Sequence, residues 1–249
     1  MESTNNIKNK VIIITGASSG IGEATAKHLA TKGGSIVLAA RRADRLKQIT
    51  EDIQKEGGEA MYVETDVRKL PDLQSLIDTA VDTHGTIDVM INNAAYMAAA
   101  PIKDTMVEDW NQMIDINIKG VLHGIATALP VFQKQGFGHF INIPSVAGLK
   151  VFSSGGTVYS STKFAVRAIS EGLRQEVGGD IRTTTINPGV VETELINGTT
   201  HEETSQMLSE FYKMAIQPEQ IAETIAFAIQ MVDTVDLNEL VVRPVLQEF

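Results

Sequence analysis

Thr15-Gly16-Ala17-Ser18-Ser19-Gly20-Ile21-Gly22 comes directly after the apolar run Val11 to Ile14 and opens an amphipathic stretch, and the fold is read outward from it. Glycines at such a strand-to-helix turn let the backbone reverse tightly and come close to a pyrophosphate. The helix next to the turn offers unpaired N–H groups and the positive end of its dipole. The spacing, Gly-x3-Gly-x-Gly, departs from the G-x-G-x-x-G dinucleotide pattern and has no P-loop lysine. Taken alone it marks either a phosphate-binding turn or merely a tight one.

Further along, short β-branched runs alternate with longer amphipathic stretches to the end of the chain, with no repeat and no low-complexity linker. The strand candidates are Val11 to Thr15, Ser35 to Ala40, Ala60 to Thr65, Ile87 to Asn92, His139 to Ile143, Ile181 to Asn187 and Glu239 to Val242. Most are continuously apolar, as strands buried on both faces of a parallel sheet are. Helices are expected over Ile21 to Thr31, Ala43 to Glu56, Asp72 to His84, Val107 to Phe132, Val158 to Val177 and Glu219 to Val232. This βαβ order predicts one doubly wound α/β domain spanning residues 1–249, with a seven-stranded parallel sheet flanked by helices. Its ligand crevice should lie outside the carboxyl ends of the strands.

Composition narrows the function classes. The 249 residues carry 31 acidic and 21 basic side chains, a formal charge of −10, which argues against a nucleic-acid partner. The absence of cysteine excludes disulfides, thiolate catalysis and cysteine-ligated metal. No apolar run approaches membrane-spanning length, and Met1-Glu2-Ser3-Thr4-Asn5-Asn6 has neither a basic nor an apolar leader region, so a cytoplasmic protein without a membrane partner is expected. His28, His84, His123, His139 and His201 do not cluster with carboxylates at ligand spacing, so no metal site is expected.

The second strand candidate ends Leu38-Ala39-Ala40-Arg41-Arg42. An NAD site of this layout would place a carboxylate there, about 20 residues beyond the glycines, to accept hydrogen bonds from the adenosine ribose. Two guanidiniums stand there instead and suit a 2′-phosphate, so NADP(H) is expected rather than NAD. The alternative is a pair of solvated residues ahead of a helix.

Tyr159-Ser160-Ser161-Thr162-Lys163 places a phenol and an ammonium at i, i+4 on one helix face. A tyrosine with its ordinary pKa of about 10 is a modest acid; a neighbouring Lys⁺ should lower that value. With Ser145 after the fifth strand and the glycine turn upstream, the chain resembles the short-chain dehydrogenase/reductase family over nearly its whole length. The likeness rests on Thr15-Gly16-x3-Gly20-Ile21-Gly22, Asp66-Val67, Asn92-Asn93-Ala94, Asn117, Ser145, Tyr159-x3-Lys163, and Asn187-Pro188-Gly189 with Thr193. Leu38 to Arg42 and Arg243-Pro244 look like the branch related to serine and clavulanate-aldehyde dehydrogenases.

The resemblance implies a Rossmann fold and NADPH-dependent reduction of ketones or aldehydes, reversible as alcohol oxidation. Tyr159 would exchange the proton with the carbonyl oxygen and Ser145 would hydrogen-bond that oxygen. Lys163 would hold the nicotinamide ribose, and Asn117 would anchor a water linking Lys163 to solvent. Gly16, Ser18, Ser19, Gly20, Ile21 and Gly22 would line the pyrophosphate and ribose, with Arg41 and Arg42 on the 2′-phosphate. Asp66 and Val67 would bracket the adenine and Asn93 lie beneath its ribose. Pro188, Gly189, the Val191 N–H and Thr193 would hold the nicotinamide and present its pro-S hydride.

Two departures from the family pattern bear on substrate. Ala95 stands where the family usually has glycine, within the small-residue run Ala95-Tyr96-Met97-Ala98-Ala99-Ala100, and Pro144 precedes Ser145. They suggest a pocket, with Ala95 and Met97 on its wall, widened for bulky ketones. The long connection of about residues 192–217 is expected to be a substrate loop, in which Met207, Leu208, Phe211 and Tyr212 either face the pocket or pack a small helix onto the domain. Trp110, the apolar face of Val107 to Phe132 and the face around Phe164 and Ile169 point to a homodimer or homotetramer. Alternatives to the carbonyl reductase are a 3-ketoacyl carrier-protein reductase, which would want a basic patch, and a non-catalytic nucleotide-binding regulator.

Overall fold

The computed structural model describes residues 6–152 and 155–248. The leader reading of the first residues therefore falls largely outside the described residues. The chain runs β1 (Val11–Thr15), α1 (Gly20–Thr31), β2 (Ser35–Ala40), α2 (Ala43–Lys55), β3 (Glu59–Glu64), α3 (Leu70–His84), β4 (Val89–Asn92), α4 (Val107–Ile114), α5 (Gly120–Gln135), β5 (Gly138–Asn142), α6 (Thr157–Val177), β6 (Ile181–Pro188), α7 (Glu202–Phe211), α8 (Pro218–Gln230) and β7 (Glu239–Val242). The strands form one sheet in the order β3-β2-β1-β4-β5-β6-β7, with every pairing parallel. The doubly wound fold expected from the alternation is the fold observed.

Each face of the sheet has its own core. Ile12 and Ile14 of β1 point to one side, with Leu29 of α1, Leu46 of α2 and Ile225 of α8. Ile13 points to the other, with Leu76 of α3, Phe132 of α5 and Val166 of α6. β1 is buried at all five positions, which is why it reads as unbroken apolar sequence rather than as alternation. The order reverses between β2-β1 and β4, so a crevice opens between the connections that leave β1 and β4.

Three differences from the sequence expectations are local. β4 begins at Val89 rather than Ile87, and just before it the Asp88 carboxylate, rather than a backbone carbonyl, accepts from the Val11 N–H at 2.8 Å and pairs with Lys10 at 3.4 Å. The single helix expected over Val107 to Phe132 is broken into α4 and α5 by a π-helical turn, Asp115–Lys119, an insertion that is common beside functional sites. The connection of residues 192–217 contains a 3₁₀ turn (Glu194–Gly198), α7 and a second 3₁₀ turn (Tyr212–Met214). Its ends are pinned together, since the Glu192 N–H donates to Ile216 O at 2.9 Å and the Ile216 N–H to Val190 O at 3.1 Å. No helix among the described residues is long and apolar enough to cross a membrane.

Candidate active site

The glycine turn is built as a cradle. Gly16 and Gly20 have positive φ, 66° and 54°, and a Cβ on Gly22 would collide with Gly16 O and lie 2.7 Å from Asn93 Nδ2. Asn93 Nδ2 donates to Thr15 O at 2.9 Å and Gly16 O at 3.3 Å, while Thr15 Oγ1 accepts from the N–H groups of Asn93 and Ala94. β4 thus braces the turn that leaves β1. Ser19 occupies the N-cap of α1 but makes no capping bond; its Oγ accepts from Arg42 at 2.7 Å. The first turn of α1 is therefore left without a side-chain cap and faces the crevice with positive dipole, which suits an anion. Gly22→Ala should cost about 1–3 kcal/mol of packing and shift the turn; coenzyme titration by fluorescence should show weaker binding and a thermal melt a lower Tm.

Arg42 also bonds Ser18, through Nε to Oγ at 3.1 Å and through its terminal nitrogen to the carbonyl at 3.2 Å, and pairs with Glu194 at 2.9 Å. That pairing holds the Glu194 carboxyl below the usual range, helped by the Ser19 hydroxyl. The Arg41 guanidinium makes no hydrogen bond or ion pair with any described residue and lies near enough to Asp66 to help lower its pKa. Asp66 is chiefly engaged by Arg68, at 2.5 Å. Ser18, Ser19, Arg41, Arg42, Asp66 and Val67 border one cavity of about 620 Å³, so these coenzyme candidates are brought together.

A second cavity, of about 290 Å³, continues from the first and is lined by Ser145, Tyr159, Lys163, Pro188, Gly189, Val191 and Thr193 among others. Ser145 lies just beyond β5, where its Oγ accepts from the Ala147 N–H at 3.1 Å and donates to Pro188 O at 3.3 Å. Its backbone is extended (φ 167°), and Pro144 immediately before it is accommodated. Tyr159 and Lys163 lie one turn apart on α6, with Nζ 5.4 Å from the phenol ring centroid. The Val191 N–H has no acceptor among the described residues, and Thr193 Oγ1 accepts from the Leu195 N–H.

Here the structure corrects the electrostatics. The spacing predicts that Lys163 lowers the Tyr159 pKa. Instead, burial pushes the phenol well up, the nearby Tyr212 adds to this, and the Ser145 hydroxyl opposes it. Burial brings Lys163 down to about 7, because an ammonium removed from water without a carboxylate partner is costly. An unfolded lysine keeps its proton to about 10.4, so between those values the unfolded chain binds the extra proton and stability rises with pH. Lys163→Met should therefore raise the Tm of the coenzyme-free protein at about pH 6 and lose that advantage by about pH 10, as a pair of thermal melts would show.

Asn117 sits in the π-helical turn. Its Oδ1 accepts from the Tyr96 N–H at 2.8 Å, and its Nδ2 donates to Tyr96 O at 2.9 Å and Thr162 Oγ1 at 3.0 Å. It clamps the segment after β4 onto α6, beside Lys163. Of the small-residue run, Ala95, Met97 and Ala99 line the cavity, whereas Ala98 is buried in the cluster behind it and Ala100 pairs its N–H with Gly155 O. Ala95 does not have a positive φ, so alanine is no strain at that position. Met207, Leu208, Phe211 and Tyr212 do face the cavity, on α7 and the turn after it. Sequence reasoning missed Phe152 and Gln247 on the wall. It also missed Glu194 opposite Arg42. For Gln247 there was a signal, since it comes after the last strand as the other site residues come after theirs.

The chain matches the short chain dehydrogenase family over residues 10–204 and belongs to it, as an oxidoreductase. An uncharacterized oxidoreductase of Staphylococcus saprophyticus is 49 % identical over 244 residues, covering 96 % of this chain and 98 % of that one. An alcohol dehydrogenase from the archaeon Thermococcus sibiricus, complexed with 5-hydroxy-NADP, superimposes with a TM-score of 0.86 at 30 % identity, covering 97 % of this chain and 99 % of the other. A short chain dehydrogenase/reductase from Burkholderia phymatum in complex with NAD gives 0.88 at 25 % identity over 95 % and 89 %.

Proposed function

We propose that the protein is an NADPH-dependent carbonyl reductase, reversible as an alcohol dehydrogenase. The observation that carries this reading is Tyr159, a buried phenol kept protonated, sharing one cavity with the Ser145 hydroxyl and Lys163. A bound nicotinamide coenzyme would supply the hydride. Tyr159 donates its proton to the carbonyl oxygen, Ser145 steadies the same oxygen, and the apolar walls exclude water. Asn117 fixes α6 against the segment after β4, which positions Lys163 for the ribose hydroxyls. The open end of α1 and the cradle from Gly16 to Gly22 receive the pyrophosphate, with Asp66, Val67 and Asn93 at the adenosine and Pro188, Gly189, Val191 and Thr193 at the nicotinamide.

NADPH is favoured over NADH because β2 ends in Ala40, with no carboxylate to repel a phosphate, and because Arg41 is uncommitted beside the adenosine end of the cleft. Small walls at Ala95 and Ala99 favour ketones with a bulky substituent. Exposed Ile114, Leu122 and Phe164 on α4, α5 and α6 fit a homo-oligomer, to be checked by light scattering. The reading is tested by following NADPH and NADH oxidation by absorbance with a panel of ketones and aldehydes. Turnover with NADPH at higher kcat/KM is expected; turnover with no carbonyl would leave only a nucleotide-binding protein.

A further inference from the structure

Gln247 ends the turn after β7, held by its own N–H donating to Pro244 O at 3.0 Å. It is 3 % exposed. Its Oε1 accepts from the Val190 N–H at 3.0 Å; since a backbone N–H can bond only an acceptor, this fixes the amide orientation and leaves Nε2 as the other arm. That Nε2 has no partner among the described residues and almost no accessible surface of its own, so it lies just behind the wall of the cavity that holds Tyr159, which the residue lines. Room for it depends on Gly189, where a Cβ would collide with the Gln247 Oε1. A buried amide donor left unpaired is destabilising, and such a group in a ligand cavity calls for a ligand acceptor.

A second donor lines the same cavity. Tyr212, on the 3₁₀ turn after α7, lines the cavity, and its hydroxyl has no hydrogen bond with any described residue. Burial pushes its phenol up to about 12, so it remains a donor at any physiological pH. It stands near Tyr159, whose own phenol it helps to push up. The surrounding wall is apolar: Met97, Ala99, Phe152, Met207, Leu208 and Phe211. Among the described lining residues Lys163 is the only charged side chain, and it is committed to the reacting end.

We infer that Gln247 and Tyr212 form a second polar subsite that selects carbonyl substrates bearing an additional neutral hydrogen-bond acceptor, as in keto esters and diketones. A carboxylate is disfavoured there because no cation stands opposite to offset its desolvation. A plain alkyl ketone leaves both donors unpaired and loses about tenfold or more in kcat/KM for each. The inference rests on the carbonyl-reductase reading and adds to it a second polar group on the substrate.

The test pairs a vicinal diketone, a β-keto ester and a γ-keto ester each with the alkyl ketone of matched length, for the wild type, Gln247→Met and Tyr212→Phe. The wild type should favour at least one oxygen-bearing member by about tenfold or more, and each substitution should cut that ratio by about fivefold or more. Because the ratio is taken within one preparation, a loss of folded fraction does not move it, and Tyr212→Phe serves if Gln247→Met folds poorly. Ratios near one in the wild type, or ratios that neither variant changes, would overturn the subsite while leaving carbonyl reduction in place. If the wild type reduced neither member of any pair, carbonyl reduction itself would fall and the subsite with it.

Discussion

Tyr159→Phe should lower kcat/KM for carbonyl reduction by about a thousandfold or more, within the range that general acid catalysis contributes. The Kd for NADPH should stay within about tenfold of the wild-type value, the worth of one hydrogen bond. The asymmetry comes from the placement of the phenol. It is buried on α6, with the Ser145 hydroxyl beside it, so removing the oxygen takes away the proton source and leaves the crevice walls as they were. The raised pKa favours the acid over the base. Reduction should therefore run well at neutral pH, and alcohol oxidation, which needs the phenolate, should accelerate as pH rises. Initial rates in both directions with fluorescence titration of coenzyme would check all three statements. Retained reduction would remove Tyr159 as the acid.

Arg41→Ala should raise the Kd for NADPH by about 10–100-fold, the effect of losing a charge-assisted hydrogen bond or two, and change the Kd for NADH by less than about threefold. Arg41 and Arg42 differ in what else they do. Arg42 is spent on Ser18, Ser19 and Glu194, so Arg42→Ala should disturb the turn after β1 and weaken both coenzymes. The Arg41 side chain has no such bonds, and its substitution isolates the phosphate. Titration of both coenzymes against both variants separates the two roles; equal losses for NADPH and NADH in Arg41→Ala would overturn the NADP assignment.

Much of this site was legible because a doubly wound sheet gathers the residues just past its strand ends into one crevice. The glycine turn, Arg41, Asp66, Asn93, Ser145 and Gly189 all stand at such places, and continuous burial made β1, β2 and β4 readable as apolar runs. Spacing could not convey environment. The i, i+4 relation of Tyr159 and Lys163 is correct, but burial sets the direction for both groups and moves the phenol opposite to the expected way. The break at Asp115–Lys119 was hidden because a π-helical turn keeps helical composition, and it is this turn that faces Asn117 toward Tyr96 and Thr162. A small helix was one of two readings of the polar connection, which gave α7 no bounds; its start is capped by His201, whose Nδ1 accepts from the Thr204 N–H at 3.2 Å. Gln247 was hidden for a different reason. Its place after the last strand was the one signal, since a polar residue beside exposed Leu246 has no periodicity to betray that it folds back over Gly189.

On the proposed reading, a bound nicotinamide coenzyme would supply a hydride to a carbonyl carbon in this cavity while Tyr159 protonates the oxygen. Wild-type enzyme supplied with NADPH deuterated at the pro-S nicotinamide hydrogen and a turned-over ketone should yield alcohol with one deuterium on the carbinol carbon, seen by mass spectrometry. Alcohol free of deuterium both from this coenzyme and from its pro-R-deuterated counterpart, or no alcohol at all with any carbonyl supplied, would contradict hydride transfer to a carbonyl.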